Sequence, residues 1–364
     1  MKRILILNLV PNTVGDSIIM LPLFSILKKH FSRSIIVATA DSTTKDLWQD
    51  NKEIDEIIEI KELNEIGNPD LSKIQKGLTY LKLTLRLIKK LKKYKFDVCF
   101  IAYPNFFLMP LIPWFAGIKK RIGYTYKGGF LSFLLTDKIE SKILFDGYYD
   151  RHIMEAFLDL LRAANIPFSS KDKIYRKTVR EEDINIVKNK LNTLGIKLNN
   201  KKIISIHTLS KSELKNWPKE NYKEFLFELL KKHDLFILLL GSKKEIEYNE
   251  EIRLINKNKI YNLCGKFSLR ETGAILKISD LFIGNDSGLA HYASSVGTTT
   301  ISLFGSTNPS QARPLGYGKT IVIFKNRAEN TYNYIRNGKR EADLESMKTI
   351  KVKDVLEKAE KFLK

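Results

Sequence analysis

Apolar runs of strand length alternate along this chain with segments whose apolar residues recur at helical spacing, which is the pattern of parallel βαβ units. In the first half the strand candidates are "RILILNLV", "SIIVATA", "EIIEI", "DVCFIAY" and a shorter run around "RIGY". Between them lie "DSIIMLPLFSILKKHF" and "LTYLKLTLRLIKKLKKY". The second of these sets Leu and Ile against Lys and reads as a solvated surface helix. After the polar stretch "NIPFSSKDKIYRK" the pattern restarts with "KKIISIHT", "LFILLLG", "KIYNLCG", "DLFIGND" and "TTTISLFG". Two doubly wound βα halves joined near residues 166–178 are the economical reading, with a terminal amphipathic helix in "VKDVLEKAEKFLK".

Length supports two domains, because 364 residues exceed what one hydrophobic core usually organises. A hydrophobic fraction of 43% argues for compact folding over disorder. Charge adds a partner class: 62 Lys+Arg against 41 Asp+Glu give a formal charge of +21, spread along the chain. Such a field favours a nucleotide-linked substrate, nucleic acid or an anionic membrane face. A lineage bias toward Lys, Ile and Asn accounts for the excess equally well. Nucleic acid is the weakest of the three, since no reading motif and no cluster of aromatics among basic residues is present.

Cys99 and Cys264 lie in or beside strand-like runs and read as buried free thiols of a reducing compartment. The five histidines show no metal-ligand spacing and no Asp-x-Asp occurs, so no dedicated metal site is expected. The apolar start is too short for a secretion signal. In "FIAYPNFFLMPLIPWFAGI", residues 100–118, three prolines interrupt the apolar run. It reads as a buried strand followed by a membrane-facing apolar surface, not as a membrane span.

In open parallel sheets ligands bind where strands end at their carboxyl side, so the loops that follow the apolar runs carry the chemistry. The first is "PNTVGDSIIMLP", where Gly15 permits a tight turn and Asp16 falls at the expected N-cap. Capping and proton acceptance from a substrate hydroxyl both suit Asp16. After "KKIISIHT" come Ser210 and Lys211, then Lys215 ahead of "NWP". Hydroxyls, backbone N–H groups and a lysine before a helix suit a phosphate, while Trp217 is expected to pack. Glu245, in the loop after "LFILLLG", fits either a ribose hydroxyl or a helix start. Ser287 and Gly288 open a helix whose free N–H groups suit a diphosphate, with His291 one turn inside. Asp286 would repel a phosphate and is expected to accept hydrogen bonds from sugar hydroxyls or to fix the loop.

In order along the chain, "RILILNLVPNTVGDSIIMLPLFSILKKHF", "IKKRIGYTYKGG", "DRHIMEAFLDLLRAANIP", "ISIHTLSKSELKNWPKENYKEFL", "LLLGSKKE" and the run from "NLCGKF" through "GNDSGLAHYASSVG" to "FGSTNPSQARPLG" resemble glycosyltransferase family 9, the ADP-heptose:lipopolysaccharide heptosyltransferases and their relatives. The resemblance implies an α/β protein of GT-B fold, two Rossmann-like doubly wound domains facing a cleft. Residues 1–170 would form the acceptor domain and 171–345 the nucleotide-sugar donor domain, with a helix over 346–364 packing back on the N-terminal domain. It implies inverting, metal-independent transfer of a sugar, most simply heptose from ADP-heptose, onto a lipopolysaccharide core acceptor. No cofactor is implied beyond that donor substrate. Asp16 would be the general base. Ser210, Lys211, Lys215, Glu245, Asp286, Ser287, Gly288 and His291 would bind the donor, and Arg121 the acceptor. The expected partners are the donor, the lipid-linked acceptor and an anionic inner-membrane surface, and not nucleic acid. The expected location is the cytoplasm, at the inner face of the inner membrane. Leu289 and Ala290 stand where many relatives have Pro and Met, and the first loop departs from the commoner Gly-Ala-x-Gly-Asp form. Both departures bear on donor and acceptor identity, and a different donor or an epimerase on the same fold is the rival reading.

Overall fold

Every one of the ten apolar runs becomes a parallel strand in the structure, a computed structural model that describes residues 1–11, 13–66, 70–102, 108–125, 130–140, 151–198, 201–325 and 345–363. The chain divides into two units, Met1–Lys173 and Ile174–Lys364.

The first unit holds β1 (Arg3–Leu7), β2 (Ile35–Ala40), β3 (Glu56–Glu59), β4 (Val98–Ile101), β5 (Lys120–Tyr124) and β6 (Asp137–Ile139) in the order β3-β2-β1-β4-β5-β6. Ile4, Leu5, Ile6 and Leu7 are completely buried. That is why β1 reads as a continuous apolar run instead of an alternating one, since helices cover both faces of a parallel sheet. Local signals fix those helices: Asp41 accepts from Thr44 N–H at 2.8 Å to cap Ser42–Trp48, and Ser72 and Gln75 cap Lys73–Leu91 reciprocally. The helix Met154–Ala163 is tied down through Asp159. This carboxylate accepts two bonds from Arg151, one from Arg162 and one from Tyr124 Oη. Burial pushes the Asp159 carboxyl up, but the two guanidinium groups reverse this and hold it below its ordinary value.

The second unit repeats the plan with β7 (Lys202–His207), β8 (Leu235–Leu239), β9 (Ile260–Asn262), β10 (Leu281–Asn285), β11 (Thr299–Phe304) and β12 (Thr320–Phe324), ordered β12-β11-β10-β7-β8-β9. Counted from the first strand of each unit, both sheets run 3-2-1-4-5-6, the doubly wound dinucleotide-binding order. The strand order reverses between β1 and β4 in one unit and between β7 and β10 in the other. The register at the second switch point sets Gly284 beside His207.

β6 and β12 lie at sheet edges and were not among the expected strands. The terminal helix Val352–Glu360 buries Val355 and Ala359 in the same core as Trp217, Tyr222 and Phe225. Its apolar face, expected to seek the N-terminal domain, is thus accounted for within the second unit. Trp217 is fully buried, stands edge-on to Tyr222 at 4.8 Å, and donates through Nε1 to Ile350 O at 2.9 Å. It is a packing residue, as its sequence context suggests.

Candidate active site

In the first unit the loop after β1 turns into the helix Val14–Ile19, and Asn8, Val10, Thr13, Asp16, Ser17, Met20 and Phe157 line a small pocket there. The N-cap is Thr13, not Asp16 as the sequence suggests, and Asp16 is the third helical residue. An acidic side chain in the first turn is favoured by the helix dipole without capping it. The turn is fixed by its neighbours. Ser17 Oγ bonds Thr13 O at 2.5 Å and shares a hydrogen bond with Thr44 Oγ1 at 2.9 Å, while Trp48 Nε1 donates to Ser17 O at 2.9 Å. Asn8 and Thr39 exchange two hydrogen bonds of 2.8 Å, joining the ends of β1 and β2 beneath the pocket. Asp16 is therefore a carboxylate held on a rigid turn at the switch point of its sheet.

Arg121 behaves otherwise. Its Nε donates to Leu134 O at 2.5 Å, and one terminal nitrogen donates to Ile118 O at 2.6 Å and Lys119 O at 2.9 Å. Through these bonds the guanidinium braces the backbone around its own strand.

In the second unit the candidate residues gather at the carboxyl ends of β7, β8 and β10. Lys215 Nζ reaches Asp286 Oδ2 at 2.6 Å, and Thr307 Oγ1 donates to the same oxygen at 2.9 Å. Asp286 is 6% exposed, so the pair is largely withdrawn from water on the carboxylate side. Of its two expected roles, loop fixing is the one these contacts display. Ser287 is the N-cap of Gly288–Ser295, but its side chain does not cap the helix. Its Oγ instead shares a hydrogen bond with His207 Nδ1 at 3.0 Å. On the other side of the ring, His207 Nε2 lies 3.2 Å from Glu245 Oε2. That oxygen is buried and makes no hydrogen bond, whereas Oε1 accepts from Ser242 N–H and Oγ at 2.9 and 2.8 Å. Burial pushes the Glu245 carboxyl up, but the adjacent His207 imidazole, aided by the hydrogen bonds from Ser242, holds it below its ordinary value. A serine at a helix N-terminus, an imidazole and a carboxylate thus form one row across three loops.

Beneath this row Asn285 Nδ2 donates to Thr208 O at 2.7 Å, and Asn285 Oδ1 accepts from Trp217 N–H and Tyr222 Oη at 3.1 Å each. The buried amide locks the loop that carries Lys215 to the loop that carries Asp286. Ser210 Oγ donates to Ser212 O at 2.8 Å, and its N–H to Asn216 Oδ1 at 2.7 Å. Ser210 therefore shapes its turn, and Lys211 is exposed at the tip. His291 is buried one turn into the helix and shares a hydrogen bond with Tyr175 Oη at 2.8 Å, which in turn accepts from Leu315 N–H at 2.5 Å. His207, Asn285 and Thr307 are absent from the sequence-derived set. The rule that strands end at the site applies to His207 and Asn285 equally well, since each is the last residue of its strand.

Both cysteines are buried and free. Burial pushes the Cys264 thiol up to about 12, which makes it a poor nucleophile. Among the described residues no group of three or more His, Cys, Asp or Glu is arranged to hold a metal ion, and no helix is long and apolar enough to cross a membrane.

Two doubly wound units, each with polar residues collected at its switch point, are the architecture of GT-B nucleotide-sugar enzymes. The chain belongs to glycosyltransferase family 9 (heptosyltransferase), whose sequence model matches residues 84–341. It is 28% identical over 324 residues to lipooligosaccharide heptosyltransferase 2 of Haemophilus influenzae, covering 87% of this chain and 88% of that one. It is 24% identical over 347 residues to lipopolysaccharide heptosyltransferase 2 of Escherichia coli K12, covering 92% and 90%. Among solved structures, ADP-heptose lps heptosyltransferase II of E. coli superposes with a TM-score of 0.75 at 22% identity, over 100% of this chain and 98% of that one. A family 9 glycosyl transferase from Veillonella parvula gives 0.78 at 19% identity, over 100% and 97%.

Proposed function

We propose that this glycosyltransferase moves a heptose from ADP-heptose to a hydroxyl of a lipopolysaccharide core acceptor, with inversion and without a metal requirement. The acceptor oxygen forms a bond to the anomeric carbon as the bond from that carbon to the diphosphate oxygen breaks. Asp16 takes the acceptor proton, and ADP departs with the electron pair. Charge grows on the departing diphosphate, where Lys215 and the N-terminus of Gly288–Ser295 stabilise it, with Ser287 donating its hydroxyl. Ser210 and Lys211 border the same phosphates and His291 backs the helix. Glu245 accepts from the ribose hydroxyls through the buried Oε2 that lacks a donor.

The observation that supports this reading is the row at the second switch point: a lysine, a helix N-terminus without a side-chain cap, and a carboxylate oxygen without a hydrogen bond stand on adjacent strand ends. Those are the groups a nucleoside diphosphate needs. The names of the relatives supply the sugar and the acceptor. An anionic membrane face on the cytoplasmic side is the further partner, because a core lipid acceptor resides in a membrane.

The test incubates the protein with ADP-heptose and a heptose-free core lipid, with and without a chelator. Mass spectrometry should show acceptor mass increased by one heptosyl group and release of ADP, with the product anomer opposite to the donor's. Transfer only from UDP- or GDP-linked sugars, or an epimerised donor without acceptor, would refute the assignment.

A further inference from the structure

The helix Lys73–Leu91 is less completely solvated in character than its sequence suggests. One face sends Leu83, Thr84, Leu87 and Leu91 into the first unit's interior. A second stripe, Ile74, Leu78, Leu81 and Leu85, stays 77%, 55%, 46% and 62% exposed. Steps of four, three and four residues align these side chains along the helix. Exposed aliphatic residues are ordinary when scattered, but four in a row on one helix form a continuous apolar strip that calls for a partner.

Charge identifies the partner. From Leu71 to Phe96 the sequence has nine Lys or Arg and no Asp or Glu. Lys82 and Lys89 each follow an exposed leucine by four residues and so flank the stripe, and both are exposed. Arg86 pairs with Glu62, whereas Lys82 and Lys89 meet no carboxylate among the described residues. The stripe has the spacing of a coiled-coil seam, but a second copy of this chain would bring the same lysines against each other. An anionic lipid surface removes that conflict, taking leucines at the acyl boundary and lysines at the headgroups. Packed against this helix, Leu111–Phe115 exposes Trp114 and Phe115, whose rings lie 4.5 Å apart. Aromatic rings of this kind favour the membrane–water boundary. Pro104–Phe107, the start of the segment expected to face a membrane, lie outside the described residues.

We propose that the exposed stripe of Lys73–Leu91, with Trp114 and Phe115 of the helix packed against it, is the surface by which this protein lies on an anionic membrane. The proposal names the contact surface for the membrane partner above and does not depend on the transfer reaction.

The experiment is flotation of the full chain with phosphatidylcholine vesicles, with and without phosphatidylglycerol, at low and high salt. None contains an acceptor, so failure of the transfer reading leaves the result untouched. The wild type should float with anionic vesicles and be released by salt. Leu81→Ser/Leu85→Ser and Lys82→Glu/Lys89→Glu should each weaken binding about tenfold or more, with melting temperatures near wild type because the sites are exposed. Trp114→Ala/Phe115→Ala, which leaves Lys73–Leu91 intact, should weaken it too. Equal binding to neutral vesicles, or wild-type binding by all three variants, would overturn the proposal. So would a dimer in sedimentation velocity that Leu81→Ser/Leu85→Ser dissociates.

Discussion

Lys215 Nζ stands 2.6 Å from Asp286 Oδ2, so the cation assigned to the diphosphate is already paired, across 71 residues of sequence, with a buried carboxylate. The pair holds the ammonium in place before the donor arrives, and Thr307 keeps the carboxylate oriented. Removing the lysine has two separable effects. Lys215→Ala should lower transfer about 10²- to 10³-fold. It should also cost about 2 kcal/mol of stability by stranding the carboxylate. The double variant Lys215→Met/Asp286→Asn should recover much of the stability and none of the rate. Urea unfolding and steady-state transfer on the same samples check this, and rate recovery in the double variant would dismiss Lys215 as a diphosphate ligand.

Asp16 allows a cleaner separation, because several neighbouring side chains fix the turn that carries it. Thr13, Ser17, Thr44 and Trp48 supply the hydrogen bonds that fix the helix start. Asp16→Asn keeps the shape and removes the basic oxygen. Transfer should fall about 10²- to 10⁴-fold. The lost interaction with the helix dipole should cost no more than about 1 kcal/mol. ADP affinity by calorimetry should stay at the wild-type value, since every donor group lies in the other unit. A weakened ADP affinity would show that Asp16 belongs to nucleotide binding instead.

The fold was legible because burial on both faces of a parallel sheet writes itself as apolar runs, and ten of the twelve strands among the described residues lie in one. β6 is three residues long with two of them charged, too short to register as a run. β12 carries a plain β-branched signal, Thr-Ile-Val-Ile-Phe, at the edge of the second unit's sheet. The strand-end rule singled out Asp16, Lys215, Glu245 and Ser287 as candidates because each lies in a loop that follows a run. It gave no account of which would touch. The contacts of His207 with Ser287 and Glu245 span 80 residues and three loops. Arg121, which only the family resemblance suggested, donates to backbone carbonyls that no pattern in the sequence reveals.

The imidazole between Ser287 and Glu245 makes acid stability informative. Glu245 titrates below its ordinary value of 4.5 when folded, despite burial, because His207 and Ser242 favour the carboxylate. A depressed carboxyl contributes stability that is complete above the unfolded pKa and disappears as pH falls through the folded one. The stability gap between wild type and Glu245→Gln should therefore be constant from neutral pH to about pH 5 and close below it. Urea midpoints across that range measure it. A gap that opens on acidification would mean that burial dominates and the carboxyl is held protonated.

Two glycines give opposite expectations from one substitution. Gly77 sits inside the exposed helix Lys73–Leu91, and a Cβ there would meet nothing within 4 Å. Gly77→Ala should gain about 0.5–1 kcal/mol by removing backbone freedom from the unfolded chain. At Gly241, just past β8, a Cβ would come within 2.6 Å of Glu245 Oε2 and 3.0 Å of Cys264 Sγ. A carboxylate at the end of a flexible side chain can swing away, giving up its bonds to Ser242. In doing so it leaves His207 and the place assigned to the ribose. Gly241→Ala should therefore lose about 1 kcal/mol, the contribution of the displaced carboxylate, and bind ADP about tenfold more weakly or worse, the worth of a hydrogen bond to a charged group. Calorimetric titration with ADP, and with ribose-free pyrophosphate as control, separates the nucleoside end from the phosphate end. Only the ADP titration should change, and unchanged ADP affinity in Gly241→Ala would remove Glu245 from the nucleotide site.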